Sequence, residues 1–134
     1  MKRVPIFLLP VIFLTITSCD LFNQSAFLQP LSGTWNWERT YGGFIGETID
    51  ADSVDYTQKL IINDEGEAFL YRNDELRVAY AIKFEKPEWH EQKTWIFYPK
   101  KDSSIQSYVS TLQNGKLVLM NACTDCYTLY FSKK

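Results

Sequence analysis

The sequence predicts an antiparallel all-β fold for the chain after residue 30. Apolar and polar residues alternate over short segments, turn dipeptides separate these segments, and no long stretch has helical periodicity. Aromatic residues make up 16% of the chain, and such residues favour strands. Eight segments of this kind fit into about 100 residues, which is the spacing of a small barrel or sandwich.

The first predicted strand runs from Gly33 to Tyr41, with Trp35, Trp37 and Arg39 on one side. A polar, glycine-rich loop is expected over residues 42–55. A phosphate-binding loop needs a glycine run that enters a helix, whereas acidic residues follow these glycines. We therefore expect the glycines to permit a sharp bend beside the mouth of a barrel.

The next four strands are predicted from alternation and from the turns between them. They cover residues 56–63, 68–72, 76–85 and 92–99. The strand over 76–85 has the cleanest two-residue period in the chain, which predicts a core face on one side of it. That face comprises Val78, Tyr80, Ile82 and Phe84.

Three further strands are predicted over residues 105–113, 116–121 and 127–133. Asn114 and Gly115 join the first two of these. This dipeptide is the strongest short hairpin signal in the sequence, because both residues tolerate the positive φ of a tight turn.

The N-terminus has the features of an export signal. Lys2 and Arg3 precede an uncharged apolar run over residues 4–16, which is shorter than the about 20 residues of a membrane-spanning helix. Residues 16–19, Ile-Thr-Ser-Cys, resemble the bacterial lipoprotein box, whose cysteine is acylated and becomes the new N-terminus. The alternative is an ordinary secretory signal with a cysteine there by chance.

This resemblance, together with the strand pattern, predicts three parts: a lipoprotein signal peptide over 1–18, a lipidated tether over 19–30 and a barrel domain over 31–134. Cys19 would carry acyl chains such as palmitate and anchor the protein to a membrane of the bacterial cell envelope, outside the cytoplasm. Removal of the signal leaves 12 basic and 16 acidic residues, a net charge of −4. No basic patch interleaved with aromatics is visible, so nucleic acid is not an expected partner.

Two cysteines remain once Cys19 is assigned to lipid. Cys123 and Cys126 could form a structural disulfide, stay as free thiols, or take part in metal or redox chemistry. A disulfide requires α-carbons within about 7 Å, which residues three apart reach across a β-turn. It therefore requires Thr124 and Asp125 to be the centre of a tight turn. We favour this disulfide.

The first strand and the strand count together resemble the calycin group, and more narrowly the small lipocalin-like lipoproteins of bacteria. The resemblance rests on Gly33-x-Trp35 at the start of eight predicted strands. It implies an up-and-down barrel in which Trp35 plugs one end. In that family a basic residue near the last strand commonly covers this tryptophan, and here Lys133 would have to serve.

Barrels of this size hold either their own side chains or one small ligand. Seven aromatic residues are candidates to line a ligand pocket, and they could equally fill the core. They are Trp37, Tyr71, Tyr80, Trp95, Tyr98, Tyr108 and Phe131.

Two functions remain open from the sequence. The first is binding of a small apolar or amphipathic ligand in or at the mouth of the barrel, and the second is protein binding through loops, with residues 42–55 protruding. We expect no enzymatic activity and no cofactor or metal. The single histidine, His90, is in a predicted loop with no nucleophile placed beside it, and the carboxylates form no catalytic pair.

Overall fold

The computed structural model describes residues 26–102, 104–121, 123 and 125–134. The predicted signal peptide and Cys19 lie outside the described residues. The described part contains a short helical segment over residues 26–28, a 3-10 turn at Ala51–Ser53 and nine strands. The strands are β1 Gly33–Gly42, β2 Glu47–Asp50, β3 Gln58–Ile62, β4 Glu67–Arg72, β5 Glu75–Glu85, β6 Thr94–Pro99, β7 Tyr108–Gln113, β8 Lys116–Met120 and β9 Tyr127–Lys133.

The fold is a closed antiparallel barrel of eight strands. From β3 to β9 each strand pairs with its neighbour in sequence, and β1 pairs with both β3 and β9 and so closes the sheet. The prediction of an all-β, eight-stranded antiparallel barrel is thus confirmed. Closure leaves the eight barrel strands without a free edge.

The ninth strand corrects the prediction of a loop over residues 42–55. β2 pairs with the second half of β1, from Arg39 opposite Asp50 to Gly42 opposite Glu47. Gly42, the last residue of β1, and Gly43 and Gly46, in the turn that follows, have positive φ, at 137°, 74° and 66°. They therefore form a tight hairpin turn rather than an open loop.

A β-bulge in β1 corrects a second expectation, that Arg39 faces the same side as Trp35 and Trp37. In the ladder with β9, Trp37 is opposite Phe131 and Arg39 is opposite Tyr130, so Glu38 is an extra residue. The extra residue reverses the alternation. Arg39 accordingly lies over the ring of Tyr130, at 4.5 Å from its centroid.

Every barrel strand except β7 contributes buried residues to one continuous hydrophobic core. The predicted core face of β5 is confirmed at its centre, where Tyr80 is 2% exposed and Ile82 is 8% exposed. The centre of the barrel is filled by large side chains that are almost completely shielded from solvent. Among them are Leu60, Phe97, Leu117 and Phe131.

One end of the barrel is closed by the segment that precedes β1. Leu28 and Leu31 are buried in the core, although the sequence placed Leu28 in the tether. Trp35 is 1% exposed, and its Nε1 donates a hydrogen bond to the Leu31 carbonyl at 2.7 Å. Lys133 Nζ lies 5.3 Å from the Trp35 ring centroid, so the basic residue expected over this tryptophan is present.

The hairpin turn with the strongest sequence signal has the expected backbone. Asn114 and Gly115 have φ of 52° and 75°, which is the geometry that the Asn-Gly dipeptide predicts. Asn73 and Asp74, between β4 and β5, also have positive φ, at 50° and 61°. This second turn lies at the end of the barrel opposite Trp35.

Candidate functional site

The open end of the barrel holds a cavity of about 270 Å³. It lies where β1, β4 and β8 end and β3, β7 and β9 begin. We call it the mouth cavity. Its lining comprises Trp37, Thr40, Ile49, Tyr56, Gln58, Leu70, Arg72, Tyr108, Tyr127 and Leu129.

Tyr56 connects two other lining residues of the mouth cavity. Its ring stacks on Trp37, with 5.6 Å between centroids and 15° between planes. The guanidinium carbon of Arg72 lies 4.3 Å from the centre of the same ring. Tyr56 precedes β3 and belongs to no strand, so these two contacts hold its ring against the barrel.

Trp37 is fixed at the cavity by its polar atom as well as by stacking. Its Nε1 donates to Thr40 Oγ1 at 3.0 Å. Thr40 faces the interior because the bulge at Glu38 shifts the alternation of β1 by one residue. The bulge thus places a tryptophan and its hydrogen-bond acceptor in the same cavity wall.

Aromatic core residues pack beneath Tyr108, which lines the mouth cavity. Tyr80 packs edge-on against both Tyr108 and Phe97, with 6.1 Å between the centroids of each pair. Burial raises the pKa of Tyr80 above its usual value, and the neighbouring Tyr108 adds to the shift. Burial likewise raises the pKa of Tyr108. Both hydroxyls therefore stay neutral around pH 7 and add no charge to the cavity.

A disulfide and a close backbone contact shape one side of the rim. Cys123 and Cys126 are bonded, with their α-carbons 5.3 Å apart, in the connection from β8 to β9. Of the turn centre expected between them, Thr124 lies outside the described residues. Gly42 is buried against this connection, and a Cβ atom there would collide with the Cys126 carbonyl oxygen and lie 3.0 Å from Tyr127 Cα.

The β1–β2 hairpin carries two exposed apolar residues at its turn. Phe44 is 89% exposed and Ile45 is 79% exposed. Tyr41 and Tyr127, near the base of the hairpin, are 50% and 43% exposed. This hairpin extends from the same end of the barrel as the mouth cavity.

The structure brings two of the seven predicted aromatic residues into the lining of the mouth cavity, Trp37 and Tyr108. Tyr80 and Phe131 are buried below it as core residues. Trp95 lies at the closed end, beside Phe84 at 5.6 Å between centroids.

Tyr71 and Tyr98 are on the outer face of the barrel, which corrects the expectation that they line its interior. Tyr71 pairs with Lys59, whose Nζ lies 5.7 Å from its ring. Tyr98 donates a hydrogen bond to Glu85 at 2.8 Å. Each follows an inward residue directly, Leu70 and Phe97 respectively, and adjacent residues of a strand face opposite sides.

Tyr56 and Arg72 were not predicted from the sequence as residues of the site. Arg72 could have been found from the two-residue period, because it shares a face of β4 with Leu70 and Ala68, which point to the core. Tyr56 begins the strand predicted over 56–63 and is in phase with the core residues Leu60 and Ile62, so the same period could have found it, although it precedes β3 in the structure.

A second depression, of about 410 Å³, lies on the outside of the barrel. Trp89, which is 50% exposed, borders it above Ile96 and Val109. His90 is in the same loop, with its Nδ1 3.0 Å from the Gln92 carbonyl oxygen. We call this depression the outer groove.

No protein-family model, curated protein or solved structure matches this chain. Within the described ranges, no helix is both long and apolar enough to cross a bilayer. The same ranges contain no group of three or more His, Cys, Asp or Glu side chains placed to hold a metal ion.

Proposed function

We propose that this protein binds one small apolar or amphipathic molecule in the mouth cavity. The observation that carries the proposal is the pairing of a filled barrel centre with an open, aromatic cavity of about 270 Å³ above it. Pockets for drug-sized ligands occupy about 300–1,000 Å³. The expected ligand is therefore small, or has a part that extends into solvent.

The chemistry of the lining supports an amphipathic ligand. Trp37 and Tyr108 offer flat apolar surfaces, and Leu70 and Leu129 extend the apolar wall. Polar atoms of Thr40, Gln58 and Arg72 lie in the same lining. Such a combination of apolar area with a few polar groups is typical of small-molecule sites.

The experiment is to fill the cavity and measure binding of the neutral dye N-phenyl-1-naphthylamine by fluorescence. Leu70→Trp places a larger side chain in the cavity and should weaken dye binding about tenfold or more, because the dye loses its apolar contacts. The control is Phe69→Trp, next to it on β4, where alternation places the side chain on the outer face. Equal dye affinity of the two variants and the unchanged protein would contradict the proposal.

We further propose that the barrel is lipocalin-like and that Cys19 is lipidated after removal of residues 1–18. The closed eight-stranded barrel and the contact of Lys133 with Trp35 support the first part. The sequence of residues 1–19 supports the second. Cys19→Ala should release the protein from membranes, and a variant that remains bound would contradict the lipid anchor.

The place where the N-terminal segment joins the barrel determines which end of the barrel the lipid anchor would hold. Residues 26–31 pack at the closed end, next to Trp35, so a lipid on Cys19 would tether that end. An extended segment from residue 19 to residue 26 reaches at most about 25 Å. In this arrangement the mouth cavity opens away from the membrane, into the cell envelope.

Binding without catalysis is part of the proposal. The residue types that line the mouth cavity provide no nucleophile with an adjacent base. His90 is in the loop beside the outer groove rather than in the mouth cavity.

A second candidate function is docking of a protein on the β1–β2 hairpin. Phe44 and Ile45 support it, because these adjacent apolar side chains are exposed by 89% and 79%, and exposed apolar patches mark interaction sites. A photo-crosslinking residue at position 44 should then give an adduct of one defined mass in the native host. A crosslinker at position 115, in the turn at the closed end, is the control, and equal adducts at both positions would contradict docking at the hairpin.

A further inference from the structure

Among the described residues, Arg72 is the one charged side chain in the lining of the mouth cavity. It is at the end of β4, on the inward-facing side of the strand that also carries Leu70 and Ala68. Its guanidinium group lies against the Tyr56 ring, so a planar cation stands at the boundary between the apolar wall and solvent.

The protein leaves the guanidinium of Arg72 without an anionic partner among the described residues. Its Nε and Nη2 both donate to the neutral Gln58 Oε1, at 3.3 and 3.2 Å. A guanidinium carries five N–H donors, and these two long contacts occupy only part of that capacity.

The carboxylates on the adjacent β4–β5 turn are already paired with other cations. Asp74 accepts from Lys59 Nζ at 2.7 Å, and Glu75 lies 3.2 Å from Arg77 Nη2. Arg72 itself takes part in no ion pair in the described part of the chain. The chain has more acidic than basic residues, yet among the described residues no carboxylate pairs with this cation at the opening of the cavity.

We infer that the mouth cavity takes an anionic amphiphile, whose carboxylate, sulfate, sulfonate or phosphate group binds Arg72 and whose apolar part rests against Trp37 and Tyr108. This inference rests on the proposed ligand-binding function and adds the charge and orientation of the ligand. A planar guanidinium offers two parallel N–H groups to such an anion. The contact with Tyr56 restricts the side chain, so less conformational freedom is lost on binding.

Two dyes with the same ring system test the inference. 8-Anilino-1-naphthalenesulfonate carries an anionic group, and N-phenyl-1-naphthylamine lacks it. Both are titrated into the full chain and into Arg72→Gln, Arg72→Lys and Arg77→Gln variants. Arg77 is also exposed and has its own partner in Glu75, so Arg77→Gln is a matched removal of one positive charge close to the turn.

We expect Arg72→Gln to bind the sulfonate dye about tenfold more weakly or worse, and the neutral dye within about twofold of the unchanged protein. Arg72→Lys should lie between the two for the sulfonate dye, because it keeps the charge but not the two parallel donors. Arg77→Gln should keep the affinity for both dyes. All four proteins have the same N-terminal segment. Any dye that binds to this segment therefore adds the same signal in each titration and does not affect the comparison.

The outcomes separate this inference from the proposed function. If the neutral dye binds and Arg72→Gln leaves the sulfonate dye unchanged, the anionic ligand class is wrong while the mouth cavity still binds ligands. If Arg72→Gln weakens both dyes equally, the residue acts through packing and the inference is overturned. If neither dye binds the unchanged protein, both the proposed function and the inference are contradicted.

Discussion

Arg72 lies over the ring of Tyr56, with its guanidinium carbon 4.3 Å from the ring centre. The two residues come from different parts of the fold, because Arg72 ends β4 and Tyr56 precedes β3. The ring of Tyr56 also stacks on the ring of Trp37 in β1. One tyrosine outside the sheet therefore connects residues of two strands, β1 and β4, in the wall of the mouth cavity.

Replacement of Tyr56 by Ala should weaken binding of N-phenyl-1-naphthylamine about fivefold or more. Without the ring, Trp37 loses its stacking partner and Arg72 loses a contact of about 0.5–1 kcal/mol. Tyr71→Ala is the control, because Tyr71 also lies against a cation, Lys59, but on the outer face. Fluorescence titration should give the unchanged protein and Tyr71→Ala similar affinities, and a matching affinity for Tyr56→Ala would disprove the role of Tyr56.

Gly42→Ala should lower the free energy of unfolding by about 2–4 kcal/mol, through backbone strain and overpacking. Its Cβ would meet the backbone of Cys126 and Tyr127, which cannot withdraw as a flexible side chain can. Gly115→Ala is the matched control. Gly115 also has positive φ, but its Cβ would have no atom within 4 Å.

Urea unfolding of both glycine variants checks this prediction. Gly115→Ala should cost only the conformational strain, about 1–2 kcal/mol. Equal losses in the two variants would mean that the contact between Gly42 and the β8–β9 connection does not constrain the barrel.

Reduction of the disulfide between Cys123 and Cys126 should cost about 2 kcal/mol of stability, since the loop it closes is short. Urea unfolding with and without a reductant measures the difference. A double variant, Cys123→Ser with Cys126→Ser, should have the stability of the reduced protein and should not respond to the reductant. Unchanged stability on reduction of the unmodified cysteines would contradict a stabilising role of the disulfide.

Stability should fall as the pH rises above about 10, and Tyr80→Phe should reduce this fall. Burial raises the pKa of Tyr80 in the folded barrel above the usual 10.0 of an unfolded chain. Between these two values the unfolded chain releases the proton and the folded chain keeps it, so a rising pH favours unfolding.

Thermal unfolding at several pH values between about 9 and 11.5 measures this effect. Tyr108→Phe should act in the same direction, because burial also raises the pKa of Tyr108. An identical pH dependence in Tyr80→Phe and the unchanged protein would show that the hydroxyl of Tyr80 ionises as easily in the folded state as in the unfolded state.

The barrel itself could be predicted from the sequence, because its strands and turns depend on local patterns. The alternation over β5 and the Asn114-Gly115 turn both act within a few residues, and both appear as expected. The β1–β2 hairpin was not predicted, because the glycines and acidic residues of 42–55 suit an open loop as well as a turn. Pairing with β1 decides between them, and β2 carries little pattern of its own, because it has four residues and all except Ile49 are exposed.

The candidate site was harder to predict for two physical reasons. Residue type alone suggested Tyr71 and Tyr98, although each is out of phase with the core residue before it. After the bulge at Glu38, the residues of β1 that face inward are the ones that simple alternation predicts to face outward. No residue type in β1 predicts the bulge. Trp37 precedes the bulge and therefore keeps the inward direction that alternation predicts.

The most direct measurement follows the four indole N–H signals of the chain by NMR while N-phenyl-1-naphthylamine is added. Trp37 lines the mouth cavity, Trp35 and Trp95 lie at the closed end, and Trp89 borders the outer groove. Trp→Phe variants assign the four signals. Our account predicts that the Trp37 signal shifts with saturation while the Trp35 and Trp89 signals stay in place. Shifts confined to Trp89 or Trp35, or no shift at saturating dye, would contradict ligand binding in the mouth cavity.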